Sequence, residues 1–215
     1  MRPIRTTILI TAVALAVGGV TLGAQDTTVA YLEGEPERRA TDGQIDWIDF
    51  GMSLVVGDSV VTGSGDFVEL EQGAAAVIRV DPDTVFTIRE TERNGTRETV
   101  MSNSIGSVRY RFNRIAGRGE PRIGTSSVIA GIRGTELVVF AGANGNSLFL
   151  VESGEVEVTS AGQTVRLTER EGVEVPAGSP PNEKFTFPDA PIDFSTWNDT
   201  KVSELLDAPA QAVNS

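Results

Sequence analysis

Between Val29 and Val175 apolar and polar residues alternate along the chain. Glu69 and Glu71 interleave with Val68 and Leu70, and Glu155 and Glu157 with Val156 and Val158. A two-residue period places apolar side chains on one face of an extended segment and charges on the other, the pattern of a half-buried strand. Such runs recur as SVVTG, DFVELEQG, AAAVIRVDPD, TVFTIRE, SVRYRFNR, SSVIAGI, TELVVFAG, SLFLVESG, EVEVTSAG, TVRLTE and GVEV, separated by turn residues. Asn94-Gly95 predicts a tight hairpin, because both residue types tolerate positive φ. The spacing predicts an all-β domain of stacked short antiparallel strands, either β-solenoid-like or a flattened sandwich. VELEQGAAAVIRV and LVESGEVEV share an alternation, a glycine turn and a second alternating run. That echo predicts two-strand units, each too thin to bury its own apolar face.

The ends differ from this pattern. MRPIRTTILITAVALAVGGVTLGAQD has two early arginines, a compact apolar stretch and small residues before Gln25. This is the layout of a signal peptide over residues 1–24, cleaved between Ala24 and Gln25. An uncleaved membrane anchor is the minor alternative, since the apolar stretch falls short of the ~20 residues a spanning helix needs. A lead-in segment is expected over 25–45 and the β domain over 46–178. A proline-rich extended segment follows over 179–194, pinned by Phe185 and Phe187. Residues 195–209 have Val202, Leu205 and Leu206 on one helical face and predict a C-terminal α-helix that caps the open edge of the strand stack.

Composition narrows the chemistry. The chain has neither His nor Cys, which excludes Ser-His and Cys-His nucleophilic pairs, disulfides, and imidazole or thiolate metal sites. Catalytic, cofactor-binding and metal-binding residues are accordingly expected to be none, and the protein is expected not to be an enzyme. The formal net charge of −12 disfavours nucleic acid and anionic membrane surfaces. Glu152, Glu155, Glu157, Glu169, Glu171 and Glu174 are expected to form solvated acidic ladders, with weak calcium binding as a minor reading. Trp47, Tyr31 and Tyr110 are the aromatic candidates for stacking on a sugar.

The run VIAGIRGTELVVF interrupts an apolar strand with Arg133, Gly134, Thr135 and Glu136. A straight strand would carry Glu136 inward with Val138 and Phe140, at a cost of several kcal/mol for an unpaired carboxylate. A bend at Gly134 instead turns Leu137 and Val139 inward and frees Glu136. The expectation is a structural bend with Arg133 and Glu136 paired beside it.

GIRGTEL resembles the GVRGTEF-type signature of the FecR domain, the periplasmic module of iron-dicitrate-type sigma regulators. Three further stretches fit the same family in the same order. VVGDSVVTG supplies Gly57, Asp58, Thr62 and Gly63. LEQGAAAVIRVDPDTVFTI has Gly73 and Pro82 at its turns, and VESGEVEV carries Gly154 and Val156. The signature itself falls on Gly131, Arg133, Gly134, Thr135 and Glu136. The resemblance spans residues 50–178 and implies an all-β domain of stacked short strands. In its best-known members the domain follows a cytoplasmic anti-sigma segment and a membrane helix. Only about seven residues precede the apolar leader here, so contact with a cytoplasmic sigma factor is not expected.

The resulting expectation is an exported, periplasmic or secreted, non-enzymatic FecR-domain protein. It would act as a protein-interaction or envelope-sensing module with an unidentified envelope protein partner and no stable membrane span after signal cleavage. A carbohydrate- or peptidoglycan-binding β module is the alternative, and a carboxylate-based hydrolase the least favoured.

Overall fold

A computed structural model of the chain describes residues 27–93, 95–113 and 121–187, and all regular structure among them is β. The leader expected over 1–24 and the helix expected over 195–209 lie outside the described residues. No helix among the described residues is long and apolar enough to cross a membrane.

The strands form two open layers. Layer A runs β4 (Ser53–Leu54), β1 (Thr27–Glu33), β6 (Phe67–Gln72), β7 (Ala76–Val80), the second part of β9 (Thr96–Phe112), β12 (Glu136–Ala141), β13 (Ser147–Ser153), β16 (Glu171–Val175) and β17 (Phe185–Thr186). Layer B runs β3 (Ile45–Trp47), β2 (Glu37–Arg39), β5 (Ser59–Val61), β8 (Val85–Arg93), the first part of β9, β10 (Arg122–Gly124), β11 (Ile129–Ile132), β14 (Glu155–Ser160) and β15 (Gln163–Thr168). All these pairings are antiparallel except β9 with β10. The expected lead-in is part of this framework: from Thr27 onward it supplies β1 and β2.

Alternation decides what fills the space between the layers. Val68, Leu70, Ile78, Leu137 and Val139 of layer A meet Val60, Phe86, Ile132, Val156 and Val158 of layer B in one continuous core. Each such side chain contributes about 1.5–3 kcal/mol by leaving water. The interleaved Glu69, Glu71, Glu155 and Glu157 stay outside it. Around Asn94-Gly95 the expected hairpin is present: Arg93 pairs with Thr96, and Gly95 has φ +76°.

The chain joins the layers by crossing between them in pairs. β5 and β8 pair in layer B, and their continuations β6 and β7 pair in layer A. β11 with β14, and β12 with β13, repeat this arrangement. Each bent hairpin comprises four strands, two in each layer, where the echo in the sequence predicts two-strand units. The echo noted in the sequence matches them only in part. VELEQGAAAVIRV is a hairpin inside layer A, whereas LVESGEVEV passes from layer A into layer B at Gly154. Local alternation is the same in both, and only the partner strands distinguish them.

At the first crossing the Thr62 hydroxyl donates to the Asp81 carbonyl (2.6 Å) and accepts from the Thr84 N–H (3.0 Å). β9 crosses alongside at Gly106, with φ +87°. There the Thr84 hydroxyl accepts from the Ser107 N–H at 2.9 Å. A Cβ on Gly106 would lie 2.6 Å from Thr84 Cα and 2.7 Å from the Asp83 carbonyl oxygen. Backbone atoms cannot move aside as a side-chain end can, so this position requires glycine on both space and φ.

The LVVFA and SLFLV runs of β12 and β13 break the alternation because both faces of these strands are buried. Leu137 and Val139 face the inter-layer core, while Val138, Phe140, Leu148 and Leu150 form a second cluster with Phe185 and Phe187. The returning C-terminal segment thus pins itself on the outer face of layer A through the two expected phenylalanines. Gly172 leaves room for this, since a Cβ there would sit 2.8 Å from the Phe185 ring.

Two substitutions test this packing. Gly106→Ala should cost at least about 2 kcal/mol from the left-handed φ and the backbone clash. In thermal unfolding that lowers Tm by roughly 4–8 °C; an unchanged Tm would mean that the crossing is not tight. Tyr110 is fully buried, burial pushes its phenol well above the usual value, and its hydroxyl has no hydrogen-bond partner among the described residues. Tyr110→Phe should therefore change stability by less than about 1 kcal/mol, with stabilisation the favoured sign. A loss above about 2 kcal/mol in denaturant unfolding would show that the hydroxyl is bonded in solution.

Candidate interaction surface

The motif residues divide between the crossings. Gly57 turns with φ +100°, and a Cβ there would fall 2.0 Å from the Thr41 hydroxyl oxygen. The turn delivers Asp58 to a buried position at the margin of layer B. Its carboxylate accepts from Arg38 Nε (2.9 Å), Arg38 Nη2 (3.1 Å) and the Val55 N–H (3.0 Å). Arg38 also reaches Asp46 at 3.0 Å, and the bond to Asp58 raises the guanidinium pKa. This forked pair ties β2 to the turn before β5, and the three bonds leave Asp58 committed to structure. Thr62 and Gly63 start the first crossing, where the Gly63 N–H donates to Asp66 at 2.7 Å.

Gly131, Arg133, Gly134, Thr135, Glu136 and Gly154 gather at the second crossing, separated in layer B from the first by β9 and β10. Thr135 repeats the chemistry of Thr62. Its hydroxyl donates to the Glu155 carbonyl (2.8 Å) and accepts from the Glu155 N–H (3.1 Å). Gly134 has φ +59° and Gly154 φ +88°. A Cβ on Gly154 would lie 2.4 Å from the Gly134 carbonyl oxygen. The bend expected at Gly134 is therefore a transfer of the chain from layer B to layer A, with Leu137 and Val139 turned inward. Gly131 lies in β11 between Arg122 and Glu157 of the flanking strands.

The expected Arg133–Glu136 pair does not form. Glu136 faces its cross-strand neighbour Arg111 at 3.1 Å, with Arg109 at 3.9 Å. Arg133 is exposed on the far side of the transfer, its N–H bonded to the Glu155 carbonyl. Because the chain changes layers between the two residues, their side chains diverge, and β9 supplies the cation instead.

Glu136 belongs to a charged band across the outer face of layer A that reading the sequence missed. Arg109 pairs with Glu152 at 2.7 Å, and Arg79 pairs with Asp81 at 3.1 Å while lying 4.2 Å over the Phe67 ring. Tyr31 stands beside Phe67, with ring centroids 5.4 Å apart. Arg79 and Arg109 are direct cross-strand neighbours, a like-charge contact that the flanking carboxylates offset. Burial holds the Asp81 carboxyl above its usual pKa, against the pull of Ser107 and Arg79. The Glu136 bond raises the Arg111 pKa. Arg109 and Arg111 alternate with Val108, Tyr110 and Phe112, so the period-two signal for an outward arginine row was present in SVRYRFNR.

The acidic ladders are accordingly interrupted by cations. Glu152 meets Arg109, Glu155 meets Arg166, and Glu171 meets Lys184 at 2.7 Å. Lys184 and then the Thr168 N–H hold the Glu171 carboxyl below its usual pKa. No group of three or more potential metal-ligating side chains occurs among the described residues. Of the three candidate aromatics, Trp47 and Tyr31 are exposed, by 63% and 48%. Tyr110 is not available to a ligand. It lies on the inner phase of β9, stacked on Phe112.

No family model matches the chain, and no curated protein matches it in sequence. The fold does have solved counterparts. Two crystal structures of a candidate anti-sigma factor from Parabacteroides distasonis, at 2.50 and 1.65 Å resolution, superpose with a TM-score of 0.51 each. They are 16% and 17% identical to this chain over 65% of its length. The match spans 63% of the length of those structures. The likeness is one of fold: an open all-β arrangement that this chain shares with them.

Proposed function

We propose that this protein is an exported, non-enzymatic module of the FecR-domain type that binds another envelope protein and relays or senses its state. The observation that carries the reading is the constellation at the second crossing. Gly134, Thr135 and Gly154, which the FecR-type motif singles out, make the contact by which the chain changes layers, in a fold shared with a candidate anti-sigma factor. Two features support the non-enzymatic part. Thr62, Gly63, Gly134, Thr135 and Gly154 are occupied at the crossings, Asp58 is bound by Arg38, and the carboxylates of the charged band are matched with arginines. The leader, with Arg2 and Arg5 before its apolar stretch, and the absence of cysteine fit export of a domain that relies on its apolar core.

Photo-cross-linking in the native envelope tests the proposal. A photoreactive residue is placed in turn at Arg111 on layer A, Arg166 on layer B and Trp47 at the layer B margin. At least one position should give a discrete adduct with a single envelope protein. The mature chain recovered from that fraction should start at Gln25. Folded protein that gives no adduct from any position, or a chain retained in the cytosol with residues 1–24 intact, would sink the reading.

Exposed Trp47 and Tyr31 favour a second reading, a sugar-binding face. It predicts a saturable change in Trp47 fluorescence with soluble peptidoglycan fragments, measured in the Trp197→Phe background that leaves one indole.

A further inference from the structure

Each layer ends in two margins, and the four differ in what they offer. β4 and β17 close layer A with two-residue strands. β15, at one end of layer B, is mostly polar and exposed, with Gln163, Thr164, Arg166 and Thr168 at the surface. At the other end, β3 holds Ile45 and Trp47 in the open, at 60% and 63% exposure.

The backbone of β3 is available on that side. Within the β2–β3 ladder, the Ile48 N–H donates to the Pro36 carbonyl and the Ala40 N–H to the Gln44 carbonyl, each at 2.9 Å. Arg38 and Asp46 pair midway between these contacts. In an antiparallel ladder bonded positions alternate, so the Gln44 carbonyl, Asp46 and the Ile48 N–H face the β2 segment. Ile45 and Trp47 therefore turn their N–H and C=O groups away from β2, where no described strand pairs with them. Their side chains share the outer face of layer B, beside Arg39 and Glu37. A row of unpaired backbone groups flanked by apolar side chains is the template for adding a strand.

Charge selects the occupant. From Glu33 to Asp49 the chain places six carboxylates, Glu33, Glu35, Glu37, Asp42, Asp46 and Asp49, against Arg38 and Arg39. Both arginines are already engaged, Arg38 by Asp58 and Asp46 and Arg39 by Glu37 at 2.9 Å. Glu33, Glu35, Asp42 and Asp49 are exposed. A second copy of this chain, with net charge −12, would bring the same carboxylates against themselves. We infer that β3 is the docking margin for an extended basic segment of a partner protein. That segment adds as a strand, sets apolar side chains against Ile45 and Trp47, and meets the carboxylate rim with lysine or arginine. The inference names the surface and partner chemistry within the interaction reading above, and rests on it.

A displayed library of random decapeptides, selected on the full chain, tests this. Enriched sequences should alternate apolar residues with Lys or Arg, and their binding should weaken as salt is raised. Ile45→Pro removes an outward N–H that the fold does not use. It should weaken binding of the enriched peptide by at least about tenfold with Tm unchanged. Should that variant unfold, Ile45→Lys with Trp47→Lys keeps the strand while repelling a basic peptide, and should lower affinity to the same degree. Methylating alternate backbone nitrogens of the peptide should abolish binding, which charge attraction alone would survive. The inference is overturned by no enrichment, enrichment of acidic or patternless sequences, equal affinity for a folded edge variant, or a dimer lost on edge substitution. An envelope protein cross-linked only from Arg111 or Arg166 would overturn the margin while leaving the interaction reading intact.

Discussion

The fold depends on how two buried threonines treat a backbone that has to leave one sheet and enter another. A strand that changes layers gives up ladder partners on both sides of the step, and in a closed core those N–H and C=O groups have no water to turn to. Thr62 and Thr135 answer this with one hydroxyl each, donating to a carbonyl and accepting from an N–H of the strand crossing alongside. A hydroxyl serves because it is donor and acceptor at once; valine, of the same shape, would leave both groups stranded. The glycines beside them permit the left-handed turn and the close approach of backbones. Thr62 with Gly63, and Thr135 with Gly134 and Gly154, are thus a recipe for crossing.

That mechanical role shapes how function is distributed. Residues that look like a site in the sequence are consumed by architecture: Asp58 by Arg38, Thr135 by Glu155, Gly154 by the carbonyl that approaches it. What remains for a partner lies on outer faces and margins. The outer face of layer A carries a band of arginines matched with carboxylates and an apolar cluster sealed by Phe185 and Phe187. Layer B ends at Ile45 and Trp47, where no described strand pairs on the outer side. An open sandwich of this type keeps margins that a barrel would abolish.

Two readings failed because separation along the chain does not give neighbours in space. Pairing Arg133 with Glu136 treated three residues of separation as proximity. In the structure Glu136 finds Arg111, a neighbour only because β9 lies beside β12. The two echoing stretches look alike because period-two alternation records burial, not which strand is adjacent. Tyr110 was offered as a surface aromatic, although its phase with Val108 and Phe112 already placed it inside. The row of Arg79, Arg109 and Arg111 was legible one strand at a time, but not as a band, because β7 and β9 are joined only by their register.

Alternation, turn residues and the missing His and Cys were enough by themselves to determine an all-β domain with an apolar interior and no thiol or imidazole chemistry. These properties follow from residue type and local period, which a strand carries wherever it is placed. Position 134 shows the limit. Glycine there announces a bend, and the phase change that turns Leu137 and Val139 inward can be read from the chain. Tertiary structure decided where the bend leads, which hydroxyl secures it, which arginine answers Glu136 and which margin is left open. Each of those is a contact between segments distant in sequence, settled by how two layers pack and not by the pattern within either strand.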